Sequence, residues 1–490
     1  MKEAALWTDG RYFLQAEQQL DPKAWILMKS GLPGTPQKEE WIMEKLKAPN
    51  STLGFDPTLV PFDLIQKWKG YWSAQNAPIE ICPIDQNLVD LAWSCRPARP
   101  CNAVSELALS FCGKSFEDKL KDLRSKIEAE KCAGLLVSSL DEIAWILNWR
   151  GSDIDFNPNG AINCLAKNLT PPVVIRDYNA LFSDLKCWKE LSNTFDRVLM
   201  AKGVSSVDLV ESAGGEAVKT RVEIDGFRKA HVQDGVALVF TVWLSRSEST
   251  AANKLKEFRS QGKNYVGLSF DTISASGPNA AIIHYKPSAE LSRSLSLDEI
   301  YLNGTTDVTR TLHFGTPSLE EKMDFTRVLK GNLALGSIVF PEKTSGFHLD
   351  VLARQFLWES GKDYRHGTGH GVGHYLNVHE GPHGIGFREE YLKNTLVDGM
   401  VVTNGIAALL LFSLEPGFYK DSAFGIRIED IMIVRSKTDF PEPAFGGVAF
   451  YEFEKVTMYH SQVYVTLAPL LKELDAKALD WLKRETSPIC

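Results

Sequence analysis

Long hydrophobic runs are missing from this sequence. The longest apolar stretch, GIAALLLFSL at residues 405–414, falls well short of the ~18 apolar residues that indicate a membrane-spanning helix. The first residues, MKEAALWTDGRYF, lack the basic region followed by an apolar region that is typical of a signal peptide. We therefore expect no membrane span and a cytoplasmic location.

An excess of positive charge is also absent. The 490 residues include 54 Lys and Arg against 62 Asp and Glu, and the basic residues are scattered. The net charge of −8 and the pI near 5.8 argue against a surface that binds nucleic acid or anionic membranes. At about 100–200 residues per domain, this length predicts two to four domains, each large enough to bury a core.

Closely spaced pairs of cysteines are also absent from the sequence. The eight cysteines show no CxxC pair and no regular spacing. Buried reduced thiols are the favoured interpretation, and a disulfide framework is the alternative, so a reducing compartment is expected.

The apolar pattern divides the chain into regions. Residues 1–112 alternate short apolar runs with Pro and Gly breaks, and Ser115 then begins a helix–strand–helix rhythm that indicates an α/β unit. From residue 223 onward, long amphipathic helices, one of them capped by Ser318 and Glu321, alternate with strands. This pattern predicts an α+β domain with helices packed on a curved antiparallel sheet. Its expected strands cover residues 266–273, 280–285, 299–302, 307–314, 399–403 and 424–434.

Histidine is scarce but concentrated. Five of the ten histidines fall within HGTGHGVGHYLNVHEGPHG at residues 366–384, and His284 follows an apolar run in AAIIHYKP. Glycines between the imidazoles let the backbone approach a ligand closely while the rings point into a cavity. The alternative for such a run is a flexible polar loop.

Three carboxylates complement these imidazoles. Asp307 follows a predicted strand and an Asn-Gly turn in LDEIYLNGTTDVTRTLHFG, and Glu415 precedes a Pro-Gly turn. Glu429 lies on the polar face of a predicted strand, FGIRIEDIMIV, where a buried carboxylate needs a partner. Arg427 on the same face is one candidate partner and a metal ion is the other. Carboxylates with an imidazole favour Mn²⁺, Co²⁺ or Zn²⁺.

Four motifs resemble those of the cytosolic-type Xaa-Pro aminopeptidase (aminopeptidase P) family: GTTDVTRTLHFG, HGTGHGVGHYLNVHEGP, EPGFYKDSAFGIRIED and SGPNAAIIHY. The resemblance extends from WTDGRYFLQA near the start to ALDWLKRETSPI near the end. It implies a pita-bread metallopeptidase domain at residues 216–440, with creatinase-like α/β domains at 1–112 and 113–215 before it and an extension at 441–490 after it.

The resemblance also implies a metal site. In this family of dinuclear metallopeptidases, the residues that match Asp307 and Glu429 bridge two metal ions. His370 and Glu415 would complete the first metal site. The implied cofactor is Mn²⁺, with two ions per subunit, and the implied assembly is a homodimer.

Two histidines, His284 and His379, match the family's histidines that are not ligands. These position the substrate and stabilise the tetrahedral intermediate. The implied reaction is release of the N-terminal residue from peptides with proline at the second position, where the missing amide N–H and the fixed φ call for a dedicated pocket. We expect the other histidines of the run, His366, His374 and His383, to lie in a second layer or at the surface.

Three features depart from the family pattern. The family's segment of the type DSGAQY, whose aspartate is a terminal ligand of the second metal, is absent between EIYL and NGTTD. An apolar insert occupies residues 405–414, beside Glu415. The chain also begins as a truncated first domain would, so an organellar location stays open. We therefore expect the second ion to bind weakly or not at all. The alternative function is a catalytically impaired homologue with a peptide-binding or dimer-partner role, or a defective splice or gene-model product.

Overall fold

The computed structural model describes most of the chain. The described residues are 4–47, 51–56, 59–77, 79–84, 86–98, 100, 102–129, 132, 134–137, 139–158, 198–200, 217–244, 247–283, 285, 287, 300–301, 304–313, 315–387, 389–404, 406–408, 412–414, 417–440, 447–456, 464–465, 468–469, 479–480 and 483.

The first compact unit comprises Met1–Pro100 with Met200–Asp208. Strands β1 and β2 pair in parallel, as do β3 and β4, and Trp72 is buried in a core around the third helix. Helices that alternate with parallel strands agree with the expected α/β character. The elements are β1 Ala4–Thr8, α1 Phe13–Gln19, β2 Trp25–Lys29, α2 Lys38–Lys45, β3 Thr52–Phe55, α3 Phe62–Ala74, β4 Glu80–Pro83 and α4 Leu88–Ala92.

The second compact unit comprises Cys101–Leu199 with Leu209–Cys490. The further helices among the described residues are α5 Leu109–Cys112, α6 Phe116–Ala129, α7 Leu140–Leu147, α8 Arg221–Leu244, α9 Glu248–Ser260, α10 Leu319–Gly336, α11 Gly346–Trp358 and α12 Glu389–Lys393. The further strands of this part of the chain are β5 Ser105–Glu106, β6 Gly134–Leu136, β7 Trp149–Arg150, β8 Val198–Met200, β9 Tyr265–Gly267, β10 Ile300–Tyr301, β11 Gly304–Thr305, β12 Val339–Pro341, β13 Gly369–Gly371, β14 Glu380–Ile385, β15 Val401–Asn404, β16 Ile406–Ala408, β17 Phe412–Leu414, β18 Gly417–Lys420, β19 Phe424–Arg427, β20 Asp430–Lys437 and β21 Phe450–Lys455.

Six strands form the central sheet of the second unit, in the order β12-β21-β20-β15-β13-β14, and each neighbouring pair is antiparallel. Alternate residues of β15 and β20 face opposite sides of a sheet. Val402 and Met432 join the core of α10 and α11, whereas Val401 and Ile433 join the core of α8. Both faces are therefore buried, which explains the unbroken apolar run in β20 and confirms helices packed on an antiparallel sheet.

A capping box begins helix α10, and a glycine lets this helix cross α11 closely. Ser318 Oγ accepts the Glu321 N–H at 3.2 Å, and the Ser318 N–H donates to Glu321 Oε2 at 2.7 Å, which is the predicted capping box. Farther along, a Cβ at Gly331 would stand 2.1 Å from the carbonyl oxygen of Ala353 in α11. Glycine thus allows the two helices to cross at close range.

Four strand predictions were wrong in extent or type. The expected strand 266–273 is extended only within β9, Tyr265–Gly267. Residues Gly277–Ala281 form a 3₁₀ turn in place of a strand from residue 280, and within the expected strand 307–314 the described residues 307–313 are irregular chain after β11 ends at Thr305. The expected strand 424–434 is two strands, with a break at Ile428 and Glu429. The predicted hairpin before Asp307 is present, because Tyr301 of β10 lies opposite Gly304 of β11.

The insert at residues 405–414 has its own strand pair. β16 and β17 are antiparallel, with Ile406 opposite Leu414. Across the described ranges, no helix combines the length and apolar character that a bilayer span requires. Cys82, Cys95 and Cys112 are free thiols; Cys112 is buried as predicted, whereas Cys82 and Cys95 are exposed.

Candidate metal centre

Four chemically suitable side chains come from four separate segments of the second unit. Asp307 follows β11, and His370 is the middle residue of β13. His379 directly precedes β14, and Glu429 occupies the break between β19 and β20. Because β13, β14 and β20 belong to one sheet, three of these side chains lie around the same region of the central sheet.

The four side chains converge on one buried point. His370 Nε2 lies 2.8 Å from Asp307 Oδ2 and 4.0 Å from Glu429 Oε1. One donor atom each of Asp307, His370 and His379 lies within 4.8 Å of the other two. His370 and Glu429 are fully buried, whereas His379 is partly exposed.

The orientation of His370 is fixed by its neighbours. Its Nδ1 lies 2.8 Å from the carbonyl oxygen of Gly371, and its backbone N–H donates to Thr403 Oγ1 at 3.2 Å. Because a carbonyl only accepts, Nδ1 must be the protonated nitrogen. The Nε2 lone pair is then directed at the carboxylates, which is how an outer partner prepares a ligating imidazole.

Hydrogen bonds join the chain after Asp307 to the chain around Glu429. Thr309 Oγ1 donates to Glu429 Oε2 at 3.0 Å, and the Glu429 N–H donates to the Thr309 carbonyl at 3.1 Å. Arg310 donates to the Glu429 carbonyl at 2.5 Å and to Asp430 Oδ1 at 2.8 Å. The two carboxylate-bearing segments are thus held as one piece, and these bonds explain the break between β19 and β20 at Ile428 and Glu429.

Arg427 was the sequence's alternative partner for Glu429. Its Nη2 donates to the Ile283 carbonyl at 2.9 Å, and its backbone N–H donates to Thr311 Oγ1 at 2.9 Å. The Glu429 carboxylate instead faces Thr309 and His370. The geometry around Glu429 therefore fits a site shared with His370 better than an Arg427 ion pair.

The donor set fits a divalent cation. Two carboxylates and two imidazoles supply hard oxygen and borderline nitrogen donors, the combination that Mn²⁺, Co²⁺ and Zn²⁺ accept. Asp307 and Glu429 are buried, and buried carboxylates are stable only where positive charge or hydrogen bonds compensate them. A cation among these donors would supply that compensation.

Two predicted site residues, His284 and Glu415, lie outside the described residues. The three remaining histidines of the run are buried rather than exposed. His374 Nδ1 lies 3.9 Å from Glu223 Oε1, and His383 Nε2 lies 2.9 Å from the Val401 carbonyl. Burial, assisted by the charge of Lys219, lowers the pKa of His383 to about 4, although the bond to Val401 opposes this shift.

The sequence patterns did not indicate two residues that shape the site. Thr309 supports Glu429 directly, and its signal was present as the run of threonines around Asp307 in GTTDVTRT. Arg150 donates to the backbone just before His379 from 225 positions away in the chain. A lone arginine in LNWRGSD offered no local pattern that could have identified it.

Comparisons with known proteins agree on one family. The profile of metallopeptidase family M24 matches residues 225–436, and that of the creatinase/prolidase N-terminal domain matches residues 95–161. The chain is 40% identical over 563 residues to a probable Xaa-Pro aminopeptidase P of Laccaria bicolor, which covers 99% of this chain and 85% of the relative. A probable Xaa-Pro aminopeptidase P of Podospora anserina is 42% identical over 549 residues, covering 100% of this chain and 78% of the relative.

A solved structure matches as well. The crystal structure of X-prolyl aminopeptidase from Caenorhabditis elegans, described as a cytosolic enzyme with a di-nuclear active site, matches with a TM-score of 0.86 and 32% identity. The match covers 100% of this chain and 89% of that chain.

Proposed function

Because the chain belongs to metallopeptidase family M24, and within it to the Xaa-Pro aminopeptidases P, we propose that it releases the N-terminal residue from peptides with proline at the second position. The observation that carries this proposal is the cluster of Asp307, His370 and His379, with the buried Glu429 beside it. The family and the pita-bread fold inferred from the sequence motifs are confirmed. No observation favours the impaired homologue.

The proposed ligands are Asp307, His370 and Glu429, with Glu415 as a fourth. All of the first three are buried; Thr309 orients the Glu429 carboxylate, and the Gly371 carbonyl orients the His370 ring. We propose Mn²⁺ as the ion, because carboxylates dominate the set. With one family ligand missing from the sequence, a second ion would bind weakly or not at all.

The proposed substrate residues are His379 and His284. His379 is partly exposed while its neighbours in the donor set are buried, so it lies on the side that a substrate can reach. When bound, a divalent cation supplies Lewis-acid polarisation of a carbonyl and lowers the pKa of a water. His379 would donate a hydrogen bond to the scissile carbonyl oxygen as negative charge develops there.

The proposal extends to the domain boundaries, the oligomeric state and the location of the protein. We propose domain boundaries near residues 112, 215 and 440, a homodimer and a cytoplasmic location. The location is supported by the cytosolic description of the C. elegans enzyme.

The test is a metal count combined with a peptide assay. The purified chain is expected to bind Mn²⁺ and to hydrolyse a tripeptide of the Xaa-Pro-Xaa type, but not the matching Xaa-Ala-Xaa peptide. Glu429→Gln should lower kcat/KM by at least about 1,000-fold, because the ion loses a charged ligand. Glu320→Gln, which removes an exposed carboxylate that pairs with Lys420, is the matched control and should keep full activity.

Two outcomes would contradict the proposal. Absence of hydrolysis by a chain that carries its ion would contradict the proposed peptidase activity. Equal turnover of the two peptides would contradict the preference for proline, although the chain would still be an aminopeptidase.

A further inference from the structure

The loop that leads to His379 is held by a distant part of the chain. Residues 372–379, which we call the histidine loop, connect β13 with its His370 to β14. Within this loop, the Gly373 N–H donates to the Asn377 carbonyl at 2.9 Å, which closes a tight turn. The position of His379 therefore depends on what fixes this turn.

Arg150 at the end of β7 reaches the backbone of the histidine loop. Its side chain is buried, Nε donates to the Tyr375 carbonyl at 2.6 Å, and Nη2 donates to the His374 carbonyl at 3.1 Å. Nη1 donates to the carbonyls of Trp149 at 2.8 Å and Ala144 at 3.2 Å. One planar guanidinium thus joins two carbonyls of its own segment to two successive carbonyls of the loop.

Two further contacts come from the same region of the chain. Asp141 at the start of α7 accepts from Asn377 Nδ2 at 2.9 Å. The Tyr375 ring packs in a core cluster with Leu107 and Cys112, near α5. These contacts and the Arg150 hydrogen bonds hold the loop at His374, Tyr375 and Asn377.

The loop needs such restraint, because Tyr375 has a φ of +49°, in the left-handed region that side chains with a Cβ rarely adopt. Such a conformation persists only where surrounding contacts over-determine it, and it is found disproportionately near functional sites. Thr305, two residues before Asp307 in the chain, donates from Oγ1 to the Leu376 carbonyl at 3.2 Å. The loop therefore contacts both Arg150 and the segment that leads to Asp307.

We propose that Arg150 is a positioning residue for the hydrolytic reaction, and that it acts by fixing the backbone at His374 and Tyr375 and thereby the imidazole of His379. Arg150 lies in the segment that matches the creatinase/prolidase N-terminal domain, residues 95–161, and outside the match to the peptidase family. That segment would then be part of the active-site framework. This inference rests on the proposed function, because turnover is what the position of His379 affects.

Arg150→Lys is the direct test. A lysine keeps the charge but offers one ammonium on a flexible stem, which cannot reproduce the planar fork across two carbonyls. We expect kcat to fall about 100-fold with KM changed less than about threefold, since a displacement near 1 Å of a group in the site is enough for such a loss. Amide hydrogen exchange of residues 373–379 should speed up, while exchange in α10 stays unchanged.

Two companion variants separate positioning from general stability. Asn377→Ala removes the contact with Asp141 and leaves Arg150 in place, so it should shift kcat and loop exchange in the same direction by a smaller factor. Arg259→Lys alters another buried arginine, paired with Asp234 Oδ1 at 2.6 Å between α9 and α8, and should leave kcat per folded molecule unchanged.

The outcomes are distinct. Unchanged exchange in residues 373–379 of Arg150→Lys, or an equal loss of kcat in Arg259→Lys, would overturn the inference. A parent chain that binds its ion and shows no turnover would overturn the proposed function, and loop exchange would then still report whether Arg150 holds the loop.

Discussion

His383 shows, at the scale of one residue, how burial sets a protonation state near the metal centre. Its ring is buried, and its Nε2 lies 2.9 Å from the Val401 carbonyl, which can only accept, so Nε2 carries the proton. Burial and the charge of Lys219 lower the pKa of His383 from 6.5 to about 4. The imidazole is therefore uncharged in the folded protein at neutral pH.

The free energy of unfolding is expected to decrease as the pH falls from about 6.5 to about 4. In this window the unfolded chain binds a proton at His383 and the folded chain does not, so acid favours the unfolded state. The shift corresponds to a loss on the order of 3 kcal/mol. Urea denaturation at pH 7 and pH 4.5 measures it. His383→Gln should lose this part of the dependence, and the exposed His313→Gln should keep it; identical slopes in the two variants would contradict the assignment.

At the scale of elements, the crossing of α10 and α11 supports one face of the central sheet. Val328 and Leu335 of α10 and Leu349 and Ala353 of α11 are buried in the helix cores beneath the sheet and its edge. The close approach depends on Gly331, where the facing atom is a backbone carbonyl that cannot rotate away. A small change in this helix pair would thus be transmitted to β13, which carries His370, and to β20, which directly follows Glu429.

Gly331→Ala is expected to destabilise the second unit by about 3 kcal/mol, because the added methyl group forces the helices apart. Gly70→Ala in α3 is the matched helical control, since a Cβ there meets nothing within 4 Å. It should be neutral or stabilise by up to about 1 kcal/mol through lower chain entropy. Thermal unfolding of the two variants makes the comparison, and an unchanged melting temperature in Gly331→Ala would show that the crossing relaxes freely.

The sequence predicted elements well where the signals were local. The capping box at Ser318 and the hairpin before Asp307 depend on neighbouring residues, and both are present. The strand expected through Glu429 is interrupted because the Glu429 N–H donates to the carbonyl of Thr309, which lies far away in the chain. Patterns of alternation carry no information about such distant partners. The shared site of Asp307, His370 and Glu429 was implied by the family resemblance alone, and the contacts of Arg150 became visible only in three dimensions.

At the scale of the whole molecule, the described site residues all belong to the second compact unit. The first unit has a separate core of its own around Trp68 and Trp72. The donors come from positions 307 to 429, so an ion bound as proposed would join segments that are distant in sequence. Ligand binding stabilises the parts of a protein that form the site.

Mn²⁺ is expected to slow amide hydrogen exchange in the segments that carry the donors, residues 304–311, 369–380 and 425–431. Local opening of these segments separates the ligands, so the bound ion raises the free energy of opening. Exchange in residues 4–47 should remain as it is without the ion. Mass spectrometry with and without a chelator measures both regions, and protection spread evenly over the chain would refute a local effect.

The bonds between Thr309 and Glu429 close a loop of 120 positions, and this has a consequence for biosynthesis. Chains fold as they emerge from the ribosome, and a long loop gains its contacts only when its second end is available. A nascent chain that has reached the histidine loop already exposes imidazoles but still lacks the carboxylate of Glu429. If these donors hold an ion as proposed, the ion is captured late in the making of this protein, because the site stays incomplete until Glu429 has been synthesised.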